Sequence, residues 1–138
     1  MTVRRPSGTP APTVCEVGGE RVDLVALADE ICHRYERAYP DERERYGEAG
    51  GEWCRHDNQW LLLWAIDDVL GATSLDEQVR WLARVLDARD FPVARLVHDL
   101  RMASDVVSEA ALGERGPAVA ARLASAAELL AAEHSKNA

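Results

Sequence analysis

Along most of this chain the apolar residues recur at the spacing of a helix face. From Val22 to Tyr39 they fall at Val22, Val25, Ala28, Ile31, Cys32, Tyr35 and Tyr39, and Pro40 disfavours helix for the residue before it. The spacing predicts a first helix there. A second is predicted over 52–70, where Leu61, Leu62, Leu63, Trp64, Ala65 and Ile66 are apolar on every side, the pattern of a helix central to a core. Gly71 ends it. Ser74-Leu75-Asp76-Glu77 then reads as a capping box, Ser74 accepting from the amide of Glu77 and Glu77 reaching back. The third helix carries the stripe Leu75, Val79, Leu82, Val85 and Leu86, with Trp81 beside it. Asp90-Phe91-Pro92 separates it from a fourth helix bearing Val93, Leu96, Val97, Leu100, Ala103 and Val107. After Gly113 and Gly116, Pro117 opens an Ala-rich fifth helix whose stripe is Val119, Leu123, Ala127 and Leu130.

Two stretches lack this periodicity. Residues 1–20 hold Pro6, Pro10, Pro12, Gly8, Gly18 and Gly19 and read as a mobile arm, leaving 21–138 as a single domain. Residues 41–51 alternate acids with Arg43 and Arg45 and end in glycines, which suits a solvated turn or a short helical piece. No stretch shows sustained period-2 alternation, so no sheet is expected. The class is all-α, about five helices around one core, with Trp60, Trp64, Leu61, Leu82, Leu96, Leu100 and Leu123 inside.

Composition excludes more than it assigns. The longest apolar run, Trp60 to Ile66, is far below the ~20 residues of a membrane span. Arg4 and Arg5 are followed by Pro6, Ser7 and Gly8 in place of an apolar segment, so no secretion signal is read and a cytoplasmic location is expected. A formal charge of −8 opposes general phosphate binding, and nucleic acid is not an expected partner. Cys15, Cys32 and Cys54 are odd in number and have no metal-like spacing, which predicts free thiols, Cys54 the least accessible unless a cleft opens beside it.

Candidate chemistry concentrates on the second helix. An advance of about 100° per residue puts Trp53, Asp57, Trp60 and Trp64 on one narrow face, with Cys54 one turn before Asp57. A carboxylate amid indoles has two readings. Either the indoles are core, Asp57 bonds a neighbouring helix and Cys54 is a small buried hydrophobe, or Asp57 meets a ligand carrying N–H groups or positive charge. His56 shares a second face with Trp60. The chain holds no H-x-x-x-H, C-x-x-C, G-x-S-x-G, P-loop or G-x-G-x-x-G unit, and no set of nucleophile, base and orienting group can be assembled, so a non-enzymatic role is expected.

The run Cys54-Arg55-His56-Asp57-Asn58-Gln59-Trp60-Leu61-Leu62 resembles the bilin-bearing helix of the phycobiliproteins, with the same Cys-to-Asp spacing. The resemblance extends over about residues 52–134, through the break at Gly71, the Leu75-Asp76-Glu77 helix start, the Phe91-Pro92-Val93 junction and the final Ala-rich helix. His56 stands where the pigment proteins have Arg, and a Pro-rich arm replaces their helical extension. From His56 to Leu62 the run is also similar to bacterial helical regulatory domains of the same globin-like superfamily that precede cobalamin-binding or stress-sensor modules. The resemblance implies a globin-like bundle in phycobiliprotein-like order, a tetrapyrrole-sized cleft beside the second helix, and subunit association. Cys54 would be a thioether anchor and Asp57 the acceptor for pyrrole N–H groups. Two functions are therefore expected. The first is a sensor or regulatory protein whose cleft, lined by Trp53, Cys54, His56, Asp57, Trp60 and Trp64, takes a bilin, haem, cobalamin or another flat hydrophobic ligand. The alternative is a ligand-free interaction or scaffold domain with a filled core. For either, the expected partner is a second copy, forming a homodimer, or a regulatory protein.

Overall fold

A β-hairpin leads into five helices in the computed structural model, which describes residues 4–136. Strands β1 (Val14–Val17) and β2 (Glu20–Asp23) are antiparallel, with Val14 opposite Asp23 and Val17 opposite Glu20. Gly18 and Gly19 join them at φ 58° and 83°. Two consecutive left-handed residues make the type I′ link whose twist suits a hairpin, and glycine adopts them without a Cβ clash. The hairpin corrects the expectation of no sheet and places residues 14–17 and 20, read as part of a mobile arm, in strands. Four-residue strands are too short to display alternation, and the Gly-Gly pair carried the signal. Val17 and Val22 are buried, Cys15 packs on the core, and Leu24 N donates to Thr13 O at 2.9 Å, fastening the hairpin to the first helix.

Helix α1 (Leu24–Ala38) is capped by Asp23, whose carboxylate accepts from Ala26 N at 3.0 Å. Helix α2 (Glu42–Val69) begins well before the predicted residue 52. Its path bends at Gly47, where φ 66° and ψ −163° lie in a region essentially reserved for glycine, and then continues. Glu42 and Glu44 favour the positive end of the helix, so of the two readings of the acidic segment, turn or short helical piece, the helical one holds, and the segment is the first part of α2. Helix α3 (Leu75–Ala88) starts where its sequence predicts, with Ser74 Oγ accepting from Glu77 N at 3.3 Å, but among the described residues Glu77 makes no return bond to Ser74 N, so only half of the capping box forms. Asp68 adds a second N-terminal acceptor, taking the Leu75 amide at 2.7 Å. Helices α4 (Val93–Ala110) and α5 (Gly116–Lys136) complete the bundle.

The core lies between all five. Leu61, Leu82, Leu96, Leu100 and Leu123 are buried as expected. On α5 the buried face is Val119, Ala120, Leu123, Ala126, Ala127 and Leu130, whose small residues let α4 pack closely along it. Trp60 and Trp64 are partly buried rather than fully enclosed, and Trp64 packs against the edge of the core. Leu61, Leu62, Ala65 and Ile66 take the inward side of α2, which leaves the tryptophan stripe at the edge of the core. Among the described residues, no helix is long and apolar enough to cross a membrane.

Candidate functional site

The outward face of α2 carries most of the residues singled out from the sequence, but they divide into three groups. Toward its middle, Trp53 is edge-on to His56 at 5.2 Å between ring centroids, with the Arg89 guanidinium 5.6 Å from its own ring centroid. The Trp53 indole N–H donates to Arg4 O, tying residues of the arm to the helix. Further along, Trp60 and Trp64 lie 6.1 Å apart, and Trp64 is edge-on to Trp81 of α3 at 6.5 Å and 82°. Trp81 is 50% exposed. These three indoles form one aromatic surface over the seam between α2 and α3. Sequence reading placed Trp81 only beside its helix stripe; the neighbouring indoles became visible when α3 folded back along α2.

Asp57 does not enter a closed pocket. Its carboxylate is about one-quarter exposed and lies 3.1 Å from His56 Nδ1. Water and the imidazole therefore satisfy a charge that, sealed among indoles, would have demanded a ligand. Cys54 turns the other way. Its sulfur faces inward, 3.6 Å from the side-chain nitrogen of Asn58, and the same nitrogen is 3.7 Å from the sulfur of Cys32 on α1. The three cysteines are free, and Cys32 rather than Cys54 is the buried one.

Asn58 is the centre of a polar cluster inside the bundle. Its amide donates to Cys54 O and to Asp99 Oδ1, both at 3.0 Å, while its own Oδ1 is buried without a partner. Asp99 of α4 is 6% exposed. Burial pushes its carboxyl up to about 7; the Asn58 hydrogen bond lowers it, and the charge of Asp57 raises it. The Cys54 thiol is held above its ordinary value by the Cys32 thiol first, then by burial and the Asp99 charge. Neither Asn58 nor Asp99 was singled out from sequence. The available signal was a polar residue on an otherwise apolar stripe in each helix, Asn58 between Cys54 and Leu62 and Asp99 between Leu96 and Ala103.

A second polar cluster closes the junction of α1, α2 and α4. Arg95 binds Asp41 at 2.9 Å and also Glu42, while Tyr35 Oη donates to Glu42 at 2.7 Å. Arg95 also lies over the Tyr39 ring at 4.4 Å, and Tyr39 Oη meets His98 Nδ1 at 2.7 Å. The Arg95 guanidinium holds the Asp41 carboxyl below its usual range; burial and Glu42 raise the Tyr35 phenol. Charge pairs so fully matched fix the start of α2 rather than present a free group to a substrate.

Two hollows adjoin α2. One, of about 340 Å³, is an open groove beneath the arm, lined by Arg5, Pro6, Glu52, Arg55, His56 and Gln59. The other, of about 190 Å³, is lined by Tyr35, Glu42, Gly47, Gly50, Gly51 and Cys54. Trp53, Trp60 and Trp64 line neither. The hollow reached by Cys54 is below the ~300 Å³ at which pockets for drug-sized ligands begin. Among the described residues, no three His, Cys, Asp or Glu side chains are placed to hold a metal ion. No protein-family model, curated protein or solved structure matches the chain.

Proposed function

We propose that this chain is a helical protein-interaction domain with a filled core, and that its binding face is the Trp60, Trp64 and Trp81 surface over α2 and α3. The carrying observation is that Trp81, half exposed, stands edge-on to Trp64, which lies beside Trp60, so that an exposed indole extends a partly buried aromatic cluster. Single exposed apolar side chains such as Leu70 are ordinary; a contiguous aromatic cluster is the composition of interface hot spots, because an indole buries a large area and freezes few rotamers. Two facts weigh against the sensor reading. The tryptophans lie outside both hollows, and Asp57 reaches water. A globin-like helix order is part of the same proposal and is supported by the phycobiliprotein-like run from Cys54 to Leu62.

A second copy of the chain is the proposed partner. The α2 side of the face carries the acids Asp57 and Asp67, while α3 carries Arg84 and is followed by Arg89, which lies 5.6 Å from the Trp53 ring centroid. A copy related by a two-fold axis can meet opposite charge across such a face. Sedimentation velocity over a range of concentrations should show dimerisation that Trp81→Ala abolishes without lowering thermal stability. A monomer at every concentration would remove the second copy, and photocrosslinking from position 81 in the producing cell would then test for a different protein; no adduct there would overturn the interaction reading. Bilin, haem and cobalamin should each leave the protein colourless after desalting. A retained, shifted absorbance band would restore the tetrapyrrole sensor, with Cys54→Ser and Asp57→Asn separating covalent from non-covalent binding.

A further inference from the structure

We infer that Cys32 and Cys54 form a thiol-oxidation site, at which a small hydroperoxide entering through the glycine-walled hollow beside α2 converts the pair to a disulfide joining α1 to α2. The two sulfurs approach the same side-chain nitrogen of Asn58, at 3.7 and 3.6 Å, at the place where α1 packs along α2. That nitrogen has two hydrogens, and both are taken by oxygens, of Cys54 and Asp99. The sulfurs are therefore neighbours without being needed as acceptors.

Access is unequal. Cys54 lines the hollow of about 190 Å³ whose wall includes Gly47, Gly50 and Gly51, whereas Cys32 is buried and does not line it. With no side chains on those three residues, the hollow has room for a small hydroperoxide. Cys54 is accordingly the residue attacked and Cys32 the residue that resolves. The Cys54 sulfur attacks one peroxide oxygen and the O–O bond breaks; with hydrogen peroxide, Cys54 becomes a sulfenic acid and water leaves. Cys32 sulfur then attacks the sulfenic sulfur, the S–O bond breaks, the thiol proton leaves with the hydroxide as a second water, and the S–S bond forms. The dithiol loses two electrons and two hydrogens, and the peroxide gains them.

Because Cys32, burial and Asp99 all hold the Cys54 thiol in its protonated form, the first step is slow at neutral pH and quickens as the solution becomes alkaline. Selectivity therefore resides in capture by the adjacent thiol, not in an activated nucleophile. This inference does not rest on the interaction face.

The test uses the full chain carrying Cys15→Ser, so that only this pair can react, with hydrogen peroxide at mildly alkaline pH. Intact mass should fall by two hydrogens, peptide mapping should show Cys32 linked to Cys54, dithiothreitol should reverse the change, and far-ultraviolet dichroism should stay the same. With Cys32→Ser added, Cys54 should instead gain oxygen. Gly51→Ala should slow the native reaction several-fold while leaving the fold intact, since its added carbon would stand 3.7 Å from Glu36 Oε1, an ordinary contact. Accumulation of sulfinic acid on Cys54 while Cys32 is present would overturn the inference. So would two unchanged thiols after a peroxide dose that oxidises the same chain in urea, or a disulfide that forms only in urea.

Discussion

Asp99 is buried on the apolar stripe of α4 and accepts a hydrogen bond from Asn58, so its ionisation bears directly on stability. Its carboxyl titrates near 7 in the folded chain against 3.8 for an ordinary aspartate. A raised folded value means that the folded state holds the proton more tightly, so this contribution is complete below about pH 4 and is lost as pH rises through about 7. The difference is on the order of 4 kcal/mol across that window. Asp99→Asn keeps an oxygen for the Asn58 amide and removes the titration, so urea unfolding should find the variant more stable than wild type at pH 8, with the advantage shrinking by pH 5. An unchanged pH profile would place the titration elsewhere. Leu100, one residue on, is fully enclosed; Leu100→Ala should cost about 2–5 kcal/mol in the same measurement.

Three of the helices, α2, α3 and α4, are followed by a residue in the left-handed region, a different residue type each time. Gly71 closes α2 at φ 80°, with Ala72 N donating to Asp67 O and Gly71 N to Asp68 O. Asp90 closes α3 in the same manner at φ 59°, with Phe91 N reaching Leu86 O and Asp90 N reaching Asp87 O. At the end of α4, Ala111 adopts φ 53°. Alanine in that region carries a steric cost of about 1–2 kcal/mol, partly offset in a glycine variant by the greater freedom of the unfolded chain. Ala111→Gly should therefore stabilise by about 0.5–1 kcal/mol, read as a higher thermal midpoint. Asp90→Gly should gain less, because aspartate tolerates the left-handed region better than alanine.

For the molecule as a whole, the segment before the hairpin acts as a strap. Arg4 is held by Trp53, Arg5 pairs with Glu52 at 3.3 Å, and Pro12 O accepts from buried Gln59 at 2.8 Å. Removing residues 4–12 should cost about 1–3 kcal/mol through the unmade bond of Gln59, measured as a lower denaturant midpoint. A free tail would come away without effect. The corner of α2 and α3 is tied to α5 in a similar way: Asp68 accepts from Arg122 at 3.1 Å while capping α3, and the same guanidinium reaches Asp76 at 3.3 Å.

Local chemistry was legible in the chain because it acts over a few residues. The five apolar stripes, the Ser74 cap, the stop at Gly71 and the junction before Pro92 depend on spacing and neighbours alone. So did the grouping of Trp53, Asp57, Trp60 and Trp64 on one face of a helix. Periodicity reports which residues share a face, however, and not which face is covered. That was decided when α1 and α5 packed against Leu61, Leu62, Ala65 and Ile66, leaving Trp60 and Trp64 at the edge of the core beside the exposed Trp81. The hairpin, the Asn58–Asp99 bond and the meeting of Cys32 with Cys54 were likewise settled in three dimensions, the hairpin because its strands are too short to show a period. For the other two, the partners are 41 and 22 residues apart, on helices whose relative placement only the packed core specifies.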